Sequence, residues 1–434
     1  MTGAKTRAAK FFYTFALCLL MPYIFLRLAW RARKQPEYLR HIGERFGFYT
    51  RRIEKPLIWL HAVSVGETRA TVSLVAKLRA HYPDHQILLT HTTPTGRATS
   101  AQLYGDDVMR VYLPYDYPFA VRKFLLHFHP QLGILMETEI WFNLIHACDD
   151  ARVPLLLLNA RMSEKSARGY VRFAQLTRGA LLKLTAIAAQ TDADAQRLLE
   201  LGAPQVSVMG NLKFDIEPPP DMLKLGKSLR QQFGDDRKVF LAASTREGEE
   251  TLLLDAWQQH GQDDISLLVI VPRHPQRFDE IADMLAKRHI RFQRRSENKA
   301  VAADVQVVLG DSMGEMFAYY AAADLAFIGG SLLPFGGQNL IEACAVGTPV
   351  LIGPHTHNFT EATRLAVEAG AALRVMNATE LTAVVQRVLA DATLLAVMRS
   401  QGLQFVDEHR GATVKAMAVI EQQVGARRAP TCLI

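Results

Sequence analysis

From Pro56 onward, short aliphatic and β-branched runs alternate with stretches whose apolar positions recur at helical spacing. The runs are Pro56 to Ala62, Gln86 to Thr93, Arg110 to Tyr115, Leu132 to Glu137, Val153 to Ala160, Ala186 to Thr191 and Val206 to Gly210. Their apolar residues are consecutive rather than alternating, which is the pattern of parallel strands covered on both faces. Segments such as Glu67 to His81 and Asp192 to Leu201 read as the intervening amphipathic helices, so the repeating unit is strand then helix. Glu217-Pro218-Pro219-Pro220 breaks the rhythm with a stiff segment unable to continue a helix or an inner strand. The alternation restarts at Lys238 to Ser244, Ser266 to Val271, Ile290 to Arg294, Val305 to Leu309, Leu325 to Ile328 and Pro349 to Ile352. The expectation is an α/β chain of two doubly wound, Rossmann-like domains facing a cleft. An amino-terminal membrane-associated helix covers 1–35, the first domain 36–211, a linker 212–232 and the second domain 233–434.

Length and composition agree with this plan. The 434 residues suit two domains, and 49% apolar content excludes a disordered chain. Cys18, Cys148, Cys344 and Cys432 lie far apart without a C-x-x-C pair, so neither a disulfide framework nor a cysteine zinc site is expected, and the compartment should be reducing.

Charge changes the picture at one end. Residues 1–55 hold twelve lysines and arginines against Glu37, Glu44 and Glu54, a net of +9 in a chain whose total is +7, so the remainder carries −2. The basic segment flanks an apolar run, Phe11 to Leu26, interrupted by Thr14 and Pro22. Anionic lipid is therefore a better partner than nucleic acid. The run is about 16 residues, short of the roughly 20 needed to span hydrocarbon. A cleaved signal peptide lacks its small-residue cleavage site here, which leaves a single anchor or an interfacial helix, and the cysteine usage places it on the cytoplasmic face of a membrane.

Ligands in open parallel sheets sit beyond the carboxyl ends of the strands. After the first strand, His61-Ala62-Val63-Ser64-Val65-Gly66-Glu67 places a carboxylate in the opening turn of a helix. Ser64 to Glu67 matches a capping box, yet the same carboxylate suits a general base. Glu137 and Glu139 follow the fourth strand and could bind a substrate hydroxyl or simply cap and solvate. His61 and His91 read as structural histidines, since no ligand spacing repeats. In the second half, Arg246 and Arg273 stand at successive strand ends, where a guanidinium can clamp phosphate or carboxylate. Gly310 to Met316 is a tight turn into a helix. Gly329 to Glu342 runs from strand to helix through four glycines, whose amides could meet an anion, although a turn serving only packing fits as well. Asn339 and Glu342 lie three apart, where the carboxylate could accept ribose hydroxyls.

Seven ordered segments together resemble the bacterial 3-deoxy-D-manno-octulosonic acid (Kdo) transferases of lipid A assembly. They are His61 to Glu67, Met136 to Trp141, Gly210 to Asp215, Ser244 to Glu250, Pro272 to Phe278, Gly310 to Met316 and the glycine turn into Glu342. The resemblance implies a GT-B glycosyltransferase, with a final helix of the second domain that can cross back to the first, that moves Kdo from CMP-Kdo onto the tetraacylated lipid A precursor, lipid IVA, with inversion. It implies Glu67 as base and Glu137 or Glu139 as acceptor contact. The implied donor set is Lys213, Arg246, Pro272, Arg273, Met313, Gly314, Glu315, Gly336, Gly337, Asn339, Leu340, Ile341 and Glu342. No cofactor and no metal are expected, because arginines and amides can offset the single phosphate of the leaving group. Two other readings share some of these features: a GT-B enzyme using a UDP-sugar, and a non-catalytic lipid-binding scaffold.

Overall fold

The computed structural model describes residues 2–260 and 266–428, so Cys432 lies outside the described residues. The chain forms two compact units, Met1–Asp215 with Arg410–Ile434, and Ile216–His409. The first holds a seven-stranded sheet of β1 (Leu57–His61), β2 (Gln86–His91), β3 (Met109–Tyr112), β4 (Leu132–Met136), β5 (Leu155–Ala160), β6 (Ala186–Ala189) and β7 (Ser207–Val208). Its order is β3-β2-β1-β4-β5-β6-β7, with every pairing parallel. Strand order therefore reverses between β1 and β4.

The second unit repeats the plan with β8 (Lys238–Thr245), β9 (Ser266–Pro272), β10 (Phe292–Arg294), β11 (Val307–Leu309), β12 (Leu325–Ile328), β13 (Val350–Ile352) and β14 (Ala372–Arg374). All its pairings are parallel in the order β10-β11-β9-β8-β12-β13-β14, and the reversal falls between β8 and β12. The central strands β1, β4 and β12 are buried at every position, as their unbroken apolar runs require.

Three expectations change. The segment 212–232 is not a linker: the units divide at Asp215, and Pro220–Phe233 is a helix of the second unit. Proline stops a helix from its interior but starts one at the first position, where its fixed φ helps and its missing N–H goes unused. Gly226 in that helix lets it approach Met316–Ala322 closely, since a Cβ there would lie 2.7 Å from Ala321 Cβ. Next, the second unit ends at His409 and not at 434, and the helix expected to cross back is counted with the first unit, where Met417 and Ile420 are buried with Met209 and Leu212. Last, the second sheet has an edge strand beyond the expected runs, β14, three residues long.

The returning helix, Ala412–Arg428, is capped from a distance. The Asp215 carboxylate accepts from the amides of Gly411, at 2.7 Å, and Thr413. Asp215→Ala should cost about 1 kcal/mol of local stability. Hydrogen exchange over 412–424 should accelerate while that of the second unit stays unchanged.

The amino-terminal helix, Thr2–Lys34, is longer than its apolar core suggested. Ala8–Arg33 spans 26 residues and is apolar enough to cross a membrane, at a length of roughly 39 Å. One side of it is bonded to the first unit. Tyr13 donates to Asp116 at 2.9 Å, Thr14 to Asn143 at 3.2 Å, and Tyr117 donates to the Leu17 carbonyl at 2.8 Å. Leu28 is buried, while Phe11, Phe12, Phe15, Leu19, Leu20, Leu26 and Trp30 are exposed. Asp116 is almost wholly enclosed, and burial pushes its pKa up to about 6 against the pull of the Asn143 and Leu144 amides and the Tyr13 hydroxyl.

Candidate active site

The β1/β4 reversal is where a parallel sheet opens a crevice at its carboxyl edge. Glu67 follows β1 there, in the first turn of the helix Val65–Ala70. It is 9% exposed. Ser64 caps the helix and donates its hydroxyl to Glu67 Oε1 at 2.8 Å, and the Val63 amide donates to Oε2 at 2.8 Å. The capping interaction is thus present, with the reciprocal bond going to Val63 rather than to Ser64. Burial nevertheless dominates the electrostatics. Desolvation and the nearby Glu137 raise the Glu67 pKa to about 7, against the two hydrogen bonds that favour the ionised form, and Glu139 adds a smaller push upward. The carboxylate is both a cap and a group able to exchange a proton near neutrality.

Glu137 follows β4 with φ of +58°, in the left-handed region that non-glycine residues rarely occupy. Backbone strain of this kind concentrates where a side chain must be aimed. Its partner is Lys213, at 3.4 Å. Lys213, expected among donor contacts, therefore sits in the first unit beside the acidic cluster. Glu139 accepts from Trp141 Nε1 at 2.6 Å and stands 3.8 Å from His61 Nε2. His61 and His91 are fully buried. The Nδ1 of His61 meets Thr90, and that of His91 meets the Ala62 carbonyl at 2.8 Å, so both rings brace the strand ends. Desolvation keeps His91 neutral, with a pKa near 3.

In the second unit the expected residues gather at the β8/β12 reversal and along β9 and β11. Arg246, after β8, lays its guanidinium over the Phe335 ring, 4.4 Å from the centroid. Pro272 ends β9 and is buried, and the Arg273 amide donates to the Thr245 carbonyl at 2.9 Å. Met313 and Gly314 are exposed after β11, with φ of +82° at Gly314. Glu315 accepts from Ser312 at 2.6 Å and lies 3.4 Å from Arg295. Asn339 donates to Glu342 at 3.1 Å and accepts from the Ile341 amide at 3.1 Å. Leu340 and Ile341 have fully buried side chains, so a ligand could meet only their main chain.

The glycine turn is mostly self-satisfied, which corrects the picture of an open row of amides. The Gly329 amide donates to the Ala243 carbonyl, Gly337 to the Gly330 carbonyl and Gln338 to the Gly329 carbonyl. Gly330 and Leu332 both donate to Glu249. The glycines serve close packing: a Cβ on Gly329 would lie 2.5 Å from the Ser244 carbonyl oxygen, and one on Gly336 2.5 Å from Asn358. The cationic side chains of the expected set here are Arg246, after β8, and Arg273, after β9. Nothing in Glu247-Gly248-Glu249-Glu250 distinguishes Glu249 from its neighbours in sequence; its burial against the Gly330 and Leu332 amides does. Among the described residues no group of three or more histidine, cysteine, aspartate or glutamate side chains is placed to hold a metal ion.

Comparison with known proteins converges on one family. Residues 40–216 match the family model described as 3-deoxy-D-manno-octulosonic-acid transferase, and residues 251–405 match glycosyl transferases group 1. A 3-deoxy-D-manno-octulosonic acid transferase of Bordetella pertussis is 42% identical over 95% of this chain and 99% of its own length. Its counterpart from Haemophilus influenzae is 36% identical over 95% and 98%. Among solved structures, a Rickettsia africae glycosyltransferase superposes with a TM-score of 0.56 at 14% identity, covering 86% of this chain and 99% of that one. Anabaena HepE in complex with UDP superposes with 0.55 at 16% identity, covering 85% and 100%. These likenesses show the GT-B fold. Matched along nearly its whole length, the chain belongs to the Kdo transferases, a family of glycosyltransferases.

Proposed function

We propose that the protein transfers Kdo from CMP-Kdo to lipid IVA in lipopolysaccharide synthesis, with inversion and with Glu67 as general base. The observation that carries this reading is a nearly buried carboxylate at the β1/β4 reversal whose pKa is raised to about 7. Glu67 takes the proton of an acceptor sugar hydroxyl as that oxygen bonds to the anomeric carbon. The bond from that carbon to CMP breaks, and its electron pair leaves with the nucleotide. Arg246 and Arg273 offset the phosphate charge without a divalent ion, and Glu342 with Asn339 holds the ribose. Glu137 and Glu139 orient the acceptor, with Lys213 fixing Glu137.

Incubation with CMP-Kdo and lipid IVA in the presence of a chelator should add Kdo mass to the lipid, read by mass spectrometry. Failure with CMP-Kdo together with transfer from a UDP-sugar would overturn the donor assignment. The pH dependence follows from Glu67. Its base form fills as pH rises through about 7, so kcat/KM should fall about tenfold per unit well below that value. A profile flat between pH 5 and 7 would remove Glu67 from the role of base.

The amino-terminal helix supports a membrane-surface location on the cytoplasmic face of the inner membrane. A stretch whose Tyr13, Thr14 and Leu17 side is bonded to Asp116, Asn143 and Tyr117 cannot stand alone in hydrocarbon. Its opposite aromatic and aliphatic side suits the headgroup boundary, with the basic residues nearby meeting anionic lipid.

A further inference from the structure

Adjacent glutamates after β8 have opposite surroundings. Glu249 and Glu250 are both fully buried. Glu250 meets a cation, with Arg277 Nη1 at 2.6 Å. The partners of Glu249 are main-chain amides: Arg246 at 2.9 Å and Gly330 at 2.6 Å on Oε2, and Leu332 at 3.0 Å on Oε1. Three convergent amides around two oxygens are the arrangement by which proteins hold a bound anion. Here the anion is the protein's own side chain. Burial raises its pKa above the ordinary carboxylate value against the pull of these amides, and the three N–H groups leave both oxygens placed as acceptors.

The amides come from both sides of the β8/β12 reversal. Arg246 belongs to the loop after β8, and Gly330 and Leu332 to the loop after β12. The same loops meet again at Arg246, whose guanidinium covers Phe335 and whose Cγ would lie 3.4 Å from a Cβ on Gly330. Ser244, at the irregular end of β8 just before the Arg246 loop, has φ of +54°, a left-handed conformation that a non-glycine residue keeps only with outside support.

The geometry points to Glu249 as a positioning residue for donor binding: an internal anion that locks the two loops together and thereby aims Arg246 at the nucleotide phosphate. This rests on the reading of the second unit as the CMP-sugar site. Glu249 touches no substrate and acts through Arg246. Removing its charge should loosen the donor without touching the acceptor, whereas a general loss of structure would affect both.

The test uses full-length protein and CMP as the probe, by calorimetry, with steady-state kinetics in parallel. Wild type should bind CMP. Glu249→Gln presents an amide N–H where an oxygen now accepts, and should weaken CMP binding and raise the donor KM by about tenfold or more. The acceptor KM and the circular dichroism spectrum should stay as in wild type. Glu249→Ala should lose CMP affinity similarly and recover part of it on adding formate, which can occupy the vacated amides. Formate should restore nothing to Arg246→Ala. Wild type that fails to bind CMP would overturn the nucleotide reading and this inference with it. Wild type that binds CMP beside a folded Glu249→Gln of equal affinity would overturn the inference alone. So would failure of both Glu249 variants to fold with formate present, because the carboxylate would then be a determinant of the fold and not of loop aim.

Discussion

Replacing Glu67 by glutamine should reduce transfer by about 10² to 10⁴-fold while leaving CMP affinity unchanged. Glutamine keeps an oxygen for the Val63 amide, so the first turn of its helix stays capped while the proton acceptor is lost. Initial rates at saturating donor, together with a CMP titration, separate the two effects. A variant retaining more than half the wild-type rate would end the general-base assignment. A variant that also lost CMP affinity would show that position 67 works through the fold. The acid limb of the wild-type pH profile should vanish in the same variant.

The largest stability change should follow from Arg277. Arg277 is 6% exposed, and its guanidinium neutralises Glu250, which is fully buried and also accepts from Thr245 at 2.7 Å. Arg277→Met leaves that carboxylate enclosed without a cation, a change that costs about 3 to 5 kcal/mol. Urea denaturation should show a clear loss. Adding Glu250→Gln should restore most of it, since the amide can still accept from Thr245 without a charge to solvate. If the double variant were no more stable than the single one, the pair would not be the source of the effect. Arg277, in the same loop as Arg273, thus serves the interior while Arg273 remains a candidate for the donor.

The strands were readable because parallel strands between helix layers must be apolar on both faces, and thirteen runs identified in the sequence coincide with strands. β14, three residues long with Arg374 exposed, lacks that signature. The helix Ala412–Arg428 carries no residue pattern naming the sheet it covers, so its membership in the first unit emerges only from packing. Motif spacing brought Glu67, Glu137 and Glu139 to the carboxyl edge of one sheet. It could not separate Arg277 from Arg273, or Glu249 from Glu250, because such differences come from what surrounds each side chain. The glycine turn shows the same limit: its composition suits an anion cradle, and the amides are largely occupied by the chain itself.

The late return of the chain has a bearing on biosynthesis. Met417 and Ile420, about two hundred residues downstream, complete the apolar interior around Met209 and Leu212, so the first unit leaves the ribosome with that patch bare. Until translation nears its end, Asp215 has no helix to cap. The nascent first unit therefore passes through an interval of vulnerability to proteases and to self-association, and stop codons shortly before residue 412 should yield insoluble fragments even though they spare every residue of the proposed chemistry.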